Sequence, residues 1–267
     1  GSVARTIKEK VAERLRGADY GVKADGTTDD TANLRTASDT AYGLTQNLSL
    51  GSGIHRVTAG LEFPNDRTFE QRGRPFTLEG NGAGTPYISD PKATIINGDE
   101  VDSAQPVIWF RERDNSAGVE GTPPIHTGSY RVEGTTNPGV PLFRADLCPA
   151  FGYTHDIAAY QNGTGDGFYF TGPIVSDVRR IFATNTDLVA DIPKAARTGV
   201  GVSVLPATDY GLADIHGSSR GYQTGWVFGY DIGDIPTVTR NLGLKFRGEI
   251  STVGDGIVVK ELNESTL

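Results

Sequence analysis

The sequence predicts an all-β fold in which short strands stack into a solenoid. Glycine and proline make up 35 and 14 of the 267 residues, an excess that indicates many tight turns between short strands. From residue 44 onward, short apolar runs such as residues 200–205 alternate with glycine-containing turns. Two-residue hairpin signals are few and strands do not alternate with helices, so a solenoid explains the pattern better than a sandwich or a doubly wound sheet.

A short amphipathic helix is expected near the start of the chain, over residues 3–16. Every fourth residue of this segment is apolar, in the order Val3, Ile7, Val11 and Leu15. So short a helix has to bury its apolar stripe. It either docks on the chain's own core or forms a neck at which helices from several subunits meet.

A second helix is expected over residues 29–42. Thr28 is its predicted N-cap, and the carboxylates of Asp29 and Asp30 suit the positive end of a helix. Helix capping therefore explains this acidic pair better than a metal or catalytic site does.

The charge and the single cysteine exclude several classes of protein. A formal net charge of −8 disfavours a duplex nucleic-acid binder. No apolar stretch approaches the roughly 20 residues needed to span a bilayer, and no export signal is visible. Cys148 permits no internal disulfide and is expected to be a buried apolar residue. Gly1-Ser2 and the absence of methionine suggest a cleaved tag on a piece of a longer protein.

Three segments carry a resemblance to a known family. Residues 19–31 (DYGVKADGTTDDT) resemble the opening of pectate-lyase-like right-handed parallel β-helix proteins, and residues 76–85 (FTLEGNGAGT) are similar to the first-rung segment of that family. Residues 5–10 (RTIKEK) are similar to the stem of bacteriophage tailspikes and depolymerases, which are trimers that recognise bacterial surface polysaccharide. The resemblance implies a right-handed parallel β-helix and a homotrimeric virion protein that acts at the bacterial cell surface.

The resemblance also divides the chain into two parts. Residues 1–17 form the expected helical stem, and residues 18–267 form the expected parallel β-helix domain, which leaves open a truncation at the C-terminus. We expect the trimer to form through residues 3–16 and the flank of the β-helix.

The strongest strands predict a register for the rungs. Residues 168–170, 200–204, 226–228 and 257–259 recur at the interval of one solenoid turn, and each follows a glycine: Gly167, Gly199, Gly225 or Gly256. A second stacked set comprises residues 178–182, 212–215 and 242–246. A rival register would stack Asp166, Asp187, Asp209 and Asp231, but like charges about 5 Å apart repel each other. We prefer the first register because it buries the large apolar side chains.

The predicted site lies in residues 205–234, which concentrate carboxylates and aromatic rings. Cleavage of a polysaccharide needs two carboxylates flanking the glycosidic bond, or a base that removes a proton beside a uronate carboxyl group. Carboxylates on adjacent rungs would be about 5 Å apart, near the separation in retaining glycosidases. The candidate catalytic residues are Asp209, Asp214 and Asp231. The candidate substrate-binding residues are Tyr210, Arg220, Tyr222, Trp226 and Tyr230. The alternative is that these aspartates form turns and that Trp226 belongs to the core.

Metal and cofactor sites are not predicted. The four histidines lack metal-ligand spacing, and no glycine-rich phosphate loop opens a helix, although a calcium ion held by acidic turns stays open. His155 and Asp156 are interpreted either as a base with the residue that orients it or as an exposed loop pair.

Three functions therefore compete. The chain is expected to bind bacterial capsule or O-antigen polysaccharide and to depolymerise it by hydrolysis or β-elimination. Alternatively it is a non-catalytic receptor-binding module, or a purely structural spike domain. The net charge of −8 favours neutral or basic glycans over strongly anionic ones.

Overall fold

The fold is a parallel β-helix, as the sequence predicts. A computed structural model describes residues 14–44, 46–64, 76–84, 92–111, 125–146, 153–171, 176–185, 198–205, 210–229 and 241–260. Within these ranges each strand pairs in parallel with the equivalent strand of the next turn of the chain. The predicted all-β, right-handed parallel β-helix class is confirmed.

The strands of the described chain form two sheets, which we call the long sheet and the short sheet. The long sheet contains β1 (Arg14–Arg16), β2 (Asp25–Asp29), β3 (Asn47–Gly51), β4 (Gly53–Arg56), β6 (Phe76–Gly80), β7 (Thr94–Gly98), β9 (Ile125–Gly134), β11 (Tyr153–Gln161), β13 (Ser176–Thr184), β15 (Tyr210–Arg220) and β17 (Asn241–Ser251). The short sheet contains β5 (Leu61–Pro64), β8 (Ile108–Arg111), β10 (Pro141–Ala145), β12 (Asp166–Thr171), β14 (Val200–Leu205), β16 (Thr224–Phe228) and β18 (Ile257–Val259).

Three successive strands of the long sheet, β9, β11 and β13, bend at a residue with positive φ. The first half of β9 pairs with β6 and its second half pairs with β7, so one long strand continues the path of two short ones. β11, β13, β15 and β17 then stack on β9 in succession. The long sheet therefore provides two of the three sides of the solenoid, and the short sheet provides the third.

The N-terminal end of the solenoid is closed by an α-helix, α1 (Thr31–Leu44). Its buried Leu34, Ala37 and Ala41 belong to the hydrophobic core. The sequence placed this helix over residues 29–42, two residues early. Thr28 is not its cap, because the Thr28 N–H and hydroxyl both donate to Asp25. The carboxylate of Asp29 accepts instead, from the N–H of Thr31 at 3.0 Å.

The last three residues of the segment 3–16, which was expected to be helical, form a strand instead. Arg14–Arg16 form β1 and a 3-10 turn follows over Gly17–Tyr20, whereas residues 3–13 lie outside the described residues. Leu15 pairs with Leu48 and packs against the core. Burial of Leu15 in the rung register overrides the helical periodicity of the preceding segment.

The register of the short sheet agrees with the predicted stacking, with one shift. Phe168 lies beside Val202, Val202 beside Trp226, and Trp226 beside Ile257. The prediction had aligned residue 200 with Phe168, so the β14 strand is displaced by two residues. The glycine column shifts with it. A Cβ on Gly167 would lie 2.5 Å from the carbonyl oxygen of Gly201, so Gly201 and not Gly199 occupies this crowded column.

The second predicted set also stacks, because Val178 lies beside Ile215 and Ile215 beside Phe246. Aromatic rings continue through the interior of the short sheet, with the centroids of Phe63 and Phe110 5.0 Å apart. No helix in the described ranges is long and apolar enough to cross a membrane. Cys148 lies outside those ranges.

A buried ionisable pair lies at the N-terminus of α1. The side chains of Asp30 and His55 are both fully buried, and His55 Nδ1 is 3.7 Å from Asp30 Oδ2. The carboxylate of Asp30 also accepts the N–H groups of Lys23 and Ala24. Burial lowers the pKa of His55, and the nearby Asp30 carboxylate offsets part of that effect.

We expect Trp226→Ala to lower the free energy of unfolding by about 3–5 kcal/mol, because the Trp226 ring is fully buried and stacks on Phe228. Trp109→Ala is the matched control, since Trp109 lies on the outside of the short sheet and is only half-buried. Urea titration measures both. Equal losses for the two variants would contradict the assignment of Trp226 to the core.

We expect stability to fall as the pH is lowered below about 6.5, because the lowered pKa of His55 makes the unfolded chain take up the proton more readily. This contribution is fully present above the unfolded pKa and is lost as the pH falls through the folded pKa. Urea midpoints at pH 8.0 and 5.5 test it, with His55→Gln as the comparison. An equal drop in both proteins would show that His55 is not the cause.

Candidate functional site

The outward face of the long sheet carries polar side chains at the position of the bend. The inward residues at this position are apolar or small, such as Thr154, Val178 and Ile215, and all three are buried. The residues that follow them point outward and stack in one row, with His155 beside Arg179 and Arg179 beside His216. The face is therefore built from side chains that are far apart in sequence.

The bend itself is made by residues with positive φ. Ser129, Asp156 and Arg180 have φ angles of 62°, 52° and 52°, in β9, β11 and β13 respectively. This left-handed conformation is uncommon for residues other than glycine, asparagine and aspartate. Such backbone strain occurs often at functional sites, so the outward side chains of Asp156 and Arg180 are of special interest.

Four of the outward side chains are connected, and we call Glu79, His155, Asp156 and Arg180 the polar cluster. His155 Nδ1 lies 2.9 Å from Asp156 Oδ2, within hydrogen-bond distance. Arg180 donates to both oxygens of Asp156, from Nη2 to Oδ2 at 2.6 Å and from Nε to Oδ1. The hydrogen bond from Arg180 lowers the pKa of Asp156 to about 2, and the Asp156 carboxylate raises the pKa of Arg180.

A glycine makes room for the imidazole of the polar cluster. Gly128 lies between Glu79 and His155 in the register of the rungs. A Cβ on Gly128 would lie 2.8 Å from two ring carbons of His155, so this ring occupies the space that a side chain would need. As a result His155 Nε2 comes within 3.5 Å of Glu79 Oε1, across two rungs.

Aromatic rings extend the polar cluster along the face. The Tyr153 ring stacks on the imidazole of His155, with centroids 4.5 Å apart and planes at 24°. His126 meets Tyr153 edge-on at 6.4 Å. The His155 side chain is 17% exposed, whereas Arg180 is 56% exposed and accessible to a ligand.

Two carboxylates lie beside the polar cluster on adjacent rungs. Asp177 pairs in register with Asp214, and Asp214 pairs with Lys245. Arg179 Nε donates to Asp177 at 2.7 Å, and Lys245 Nζ lies 3.6 Å from Asp214. Each carboxylate thus has a cation beside it, and neighbouring strands place the two backbones about 4.8 Å apart.

A groove of about 500 Å³ opens where β15 and β17 stack on β13. Its described lining consists of Arg180, Ile181, Phe182, His216, Gly217, Ser218, Gly248 and Glu249. Arg180 thus belongs to both the polar cluster and the groove. Within the described ranges, no group of three or more His, Cys, Asp and Glu side chains is arranged to hold a metal ion.

The structure places some predicted site residues on this face. Asp214 lies there, between Asp177 and Lys245 in register. Arg220 ends β15 and is exposed. Tyr210 begins β15, but its side chain is not described. Asp209, Asp231 and Tyr230 lie outside the described residues.

Two predicted substrate-binding residues are in the core. Tyr222 and Trp226 are both 0% exposed. Tyr222 donates a hydrogen bond from its hydroxyl to the carbonyl oxygen of Thr184, and burial raises its pKa well above the usual value. The ring of Trp226 packs against Phe246, with centroids 4.6 Å apart. Neither ring offers a face to a sugar, so the alternative interpretation of Trp226 as a core residue is the correct one.

Sequence reasoning missed Glu79, Arg180 and Asp177. It did single out His155 with Asp156, but this pair lies in β11 and not in a loop. The signal for Glu79 was its place in the segment that resembles a first rung. Arg179 and Arg180 follow a strand start without any motif, so only the register of the rungs brings them to the site.

Comparisons with known proteins support the fold. No known family and no curated protein matches the chain. Among solved structures, the chain is similar to the pre-mature bacteriophage phi29 gene product 12, at 15% identity and a TM-score of 0.55, over 89% of this chain and 33% of that one. It is also similar to Geobacillus virus E2 ORF18, at 15% identity and a TM-score of 0.49, over 90% of this chain and 42% of that one.

A third similar structure is the Azotobacter vinelandii mannuronan C-5 epimerase AlgE6 A-module. It has 12% identity and a TM-score of 0.35, over 95% of this chain and 99% of that one. The chain thus spans only 42% and 33% of the lengths of the two viral proteins. At these identities the likeness to the phi29 protein is evidence for the fold alone, and the two lower TM-scores support no further argument.

We expect Gly128→Ala to lower stability by about 1–3 kcal/mol and to separate His155 from Glu79, because the new Cβ would collide with the His155 carbonyl oxygen at 2.2 Å and with the ring. Gly43→Ala is the control, since nothing lies within 4 Å of its added Cβ and α1 gains a better helix former. Urea titration and the chemical shifts of the His155 ring report the two effects. An unchanged ring environment would contradict the proposed packing.

Proposed function

We propose that the chain is part of a phage spike-like protein that binds bacterial surface polysaccharide on the outward face of its long sheet. The observation that supports this proposal is the polar cluster, in which Glu79, His155, Asp156 and Arg180 are joined across the rungs on the outside of a parallel β-helix. None of these four side chains belongs to the hydrophobic core on the other side of the sheet.

The chemistry of the face suits a chain of sugars. Sugar hydroxyls both donate and accept hydrogen bonds, and the face offers carboxylate acceptors, guanidinium donors and imidazoles within a few rungs. Rungs repeat about every 4.8 Å, so equivalent positions present themselves at regular intervals along the helix axis. A linear polymer laid along that axis would meet several rungs at once.

We further propose that the protein is a virion component and assembles as a homotrimer. The shared fold with a bacteriophage phi29 gene product makes a viral origin reasonable. The segment expected to form the trimer stem lies mostly outside the described residues. Sedimentation equilibrium of the purified protein tests the assembly, and a monomer at micromolar concentration would contradict it.

A second candidate function is cleavage of the bound polysaccharide by hydrolysis. Asp177 and Asp214 are register partners on adjacent rungs, and the backbone spacing of about 4.8 Å approaches the carboxyl separation of about 5–5.5 Å in retaining glycosidases. In that mechanism one carboxylic acid protonates the leaving oxygen while the other carboxylate attacks the anomeric carbon. β-Elimination and binding without cleavage are the competing outcomes.

We expect Asp177→Asn and Asp214→Asn each to abolish shortening of a susceptible polysaccharide while binding persists, because each would remove one of the two carboxylates. Size-exclusion chromatography follows chain length, and ultraviolet absorbance detects unsaturated products. Asp255→Asn is the control, since Asp255 is an exposed turn residue before β18.

The outcomes separate the candidates. Hydrolysis is supported if the wild-type protein shortens the polysaccharide without new ultraviolet absorbance and both variants fail to shorten it. Shortening with new absorbance indicates a lyase. Binding by the wild-type protein without any shortening leaves a receptor-binding spike. Absence of binding to every host capsule and O-antigen polysaccharide would contradict the proposed function itself.

A further inference from the structure

We propose that the groove between β13, β15 and β17 is a subsite for an uncharged sugar residue of the bound polysaccharide. This inference rests on the proposed function and deepens it, because it assigns a position and a substrate class. The groove has a volume of about 500 Å³, within the range of pockets that bind small ligands.

The groove exists because one residue is missing from the upper strands. In β13, Arg180 is an extra residue at the bend, whereas in β15 His216 is followed directly by Gly217. The register consequently passes from Arg179 beside His216 to Ile181 beside Gly217, with Arg180 unmatched. Arg180 is therefore the last of the positive-φ bend residues and overhangs a step in the surface.

The floor of this step lacks side chains. Gly217 and Gly248 are neighbours in the register of β15 and β17, and both line the groove. A Cβ on Gly217 would lie 2.6 Å from the side chain of Ile181, and a Cβ on Gly248 would lie 2.5 Å from the ring of Phe246, so inward packing leaves no room for a larger residue at either position. The backbone of the two glycines therefore forms the floor of the groove, and the outward side chains around it form the walls.

The walls offer what a sugar ring needs. Phe182 is a half-buried aromatic side chain, and the apolar face of a pyranose packs against such rings. Arg180, His216, Ser218 and Glu249 supply hydrogen-bond donors and acceptors for the hydroxyl groups. Asp156 fixes the guanidinium of Arg180, which reduces the entropy lost when a ligand binds.

The charges around the groove favour an uncharged sugar. Arg180 is already neutralised by its bidentate contact with Asp156, and Glu249 places a negative charge in the lining. A uronate carboxylate in this groove would face Glu249 and an arginine already paired with a carboxylate, so its desolvation would be poorly compensated.

The experiment compares binding of two kinds of host polysaccharide in the same buffer. The probes are neutral O-antigen chains and uronate-containing capsular chains, each immobilised and titrated with protein. We expect the wild-type protein to prefer the neutral chain, with an affinity that is nearly independent of salt. Phe182→Leu removes the aromatic ring from the wall, and Ser218→Tyr fills the groove with a larger side chain. Each variant should weaken binding about tenfold.

Glu249→Gln provides the sharpest test. It should weaken binding of the neutral chain only about threefold, through loss of one acceptor, and should improve binding of the uronate chain. Asp255→Asn, with the same change of charge on an exposed turn, should alter neither. Circular dichroism and urea titration of each variant identify those that fail to fold, and Glu249→Gln keeps the test decisive because Glu249 is exposed.

The results overturn the inference in two ways that leave the proposed function intact. If the wild-type protein preferred the uronate chain, the subsite would be specific for acidic sugars, and the inference of an uncharged sugar would be wrong. Unchanged binding in the groove variants, together with a loss of about tenfold in Arg179→Ala or His155→Ala, would place the sugar on the face but outside the groove. Binding of neither kind of chain would remove the proposed function and the inference together.

Discussion

The structure depends on one constraint, which is that equivalent residues of successive rungs must stack in register. Parallel strands lie about 4.8 Å apart along the solenoid axis, so each inward residue rests on its counterpart in the next rung. The result is a continuous column of apolar contacts, seen where Phe63 packs on Phe110 and Phe110 on Phe143 at 5.0 and 5.6 Å. A strand that slipped by one residue would turn its apolar side chains to solvent. Burial of these columns therefore determines every position on the outside as well.

The outside face inherits its order from the core. Glu79, His155 and Arg180 come from three different strands, yet they meet because the inward residues beside them stack. The space above Gly128 is a further consequence, since one position without a side chain lets His155 reach Glu79 two rungs below. Helix α1 closes the end of the core, and the carboxylates of Asp29 and Asp30 hold the chain at its entry. Stability and site geometry thus have a common origin.

Much of the fold could be predicted because the apolar pattern of each rung is strong. The strands around Phe168, Trp226 and Ile257 were identified from sequence alone, since burial of large apolar side chains dominates their energy. The two-residue shift of β14 could not be predicted. Val200 and Val202 each follow a glycine, so the local pattern does not decide which of them pairs with Phe168. The close approach of Gly167 to Gly201 selects Val202.

The site was harder to predict than the fold. Trp226 and Tyr222 looked like sugar-binding residues because aromatic and acidic residues are concentrated near them. Alternation within β16 turns Trp226 inward, and the buried hydroxyl of Tyr222 donates to the carbonyl oxygen of Thr184. Conversely, Arg180 carries no motif, and its role follows from a positive φ and from the neighbouring rung. Residues 3–16 had a clear helical period, yet pairing of Leu15 with Leu48 made the end of that segment a strand. Long-range register is the information that the local sequence lacks.

The unmatched residue at the bend suggests how such a surface could diversify. Ser129, Asp156 and Arg180 protrude from their rungs without disturbing the inward columns, and β15 and β17 continue those columns without an equivalent residue. A single-codon insertion or deletion at this bend would thus relocate the step by one rung, while the interior packing stayed the same. Insertions and deletions at the bend would therefore move the recognition surface along the solenoid axis in steps of one rung.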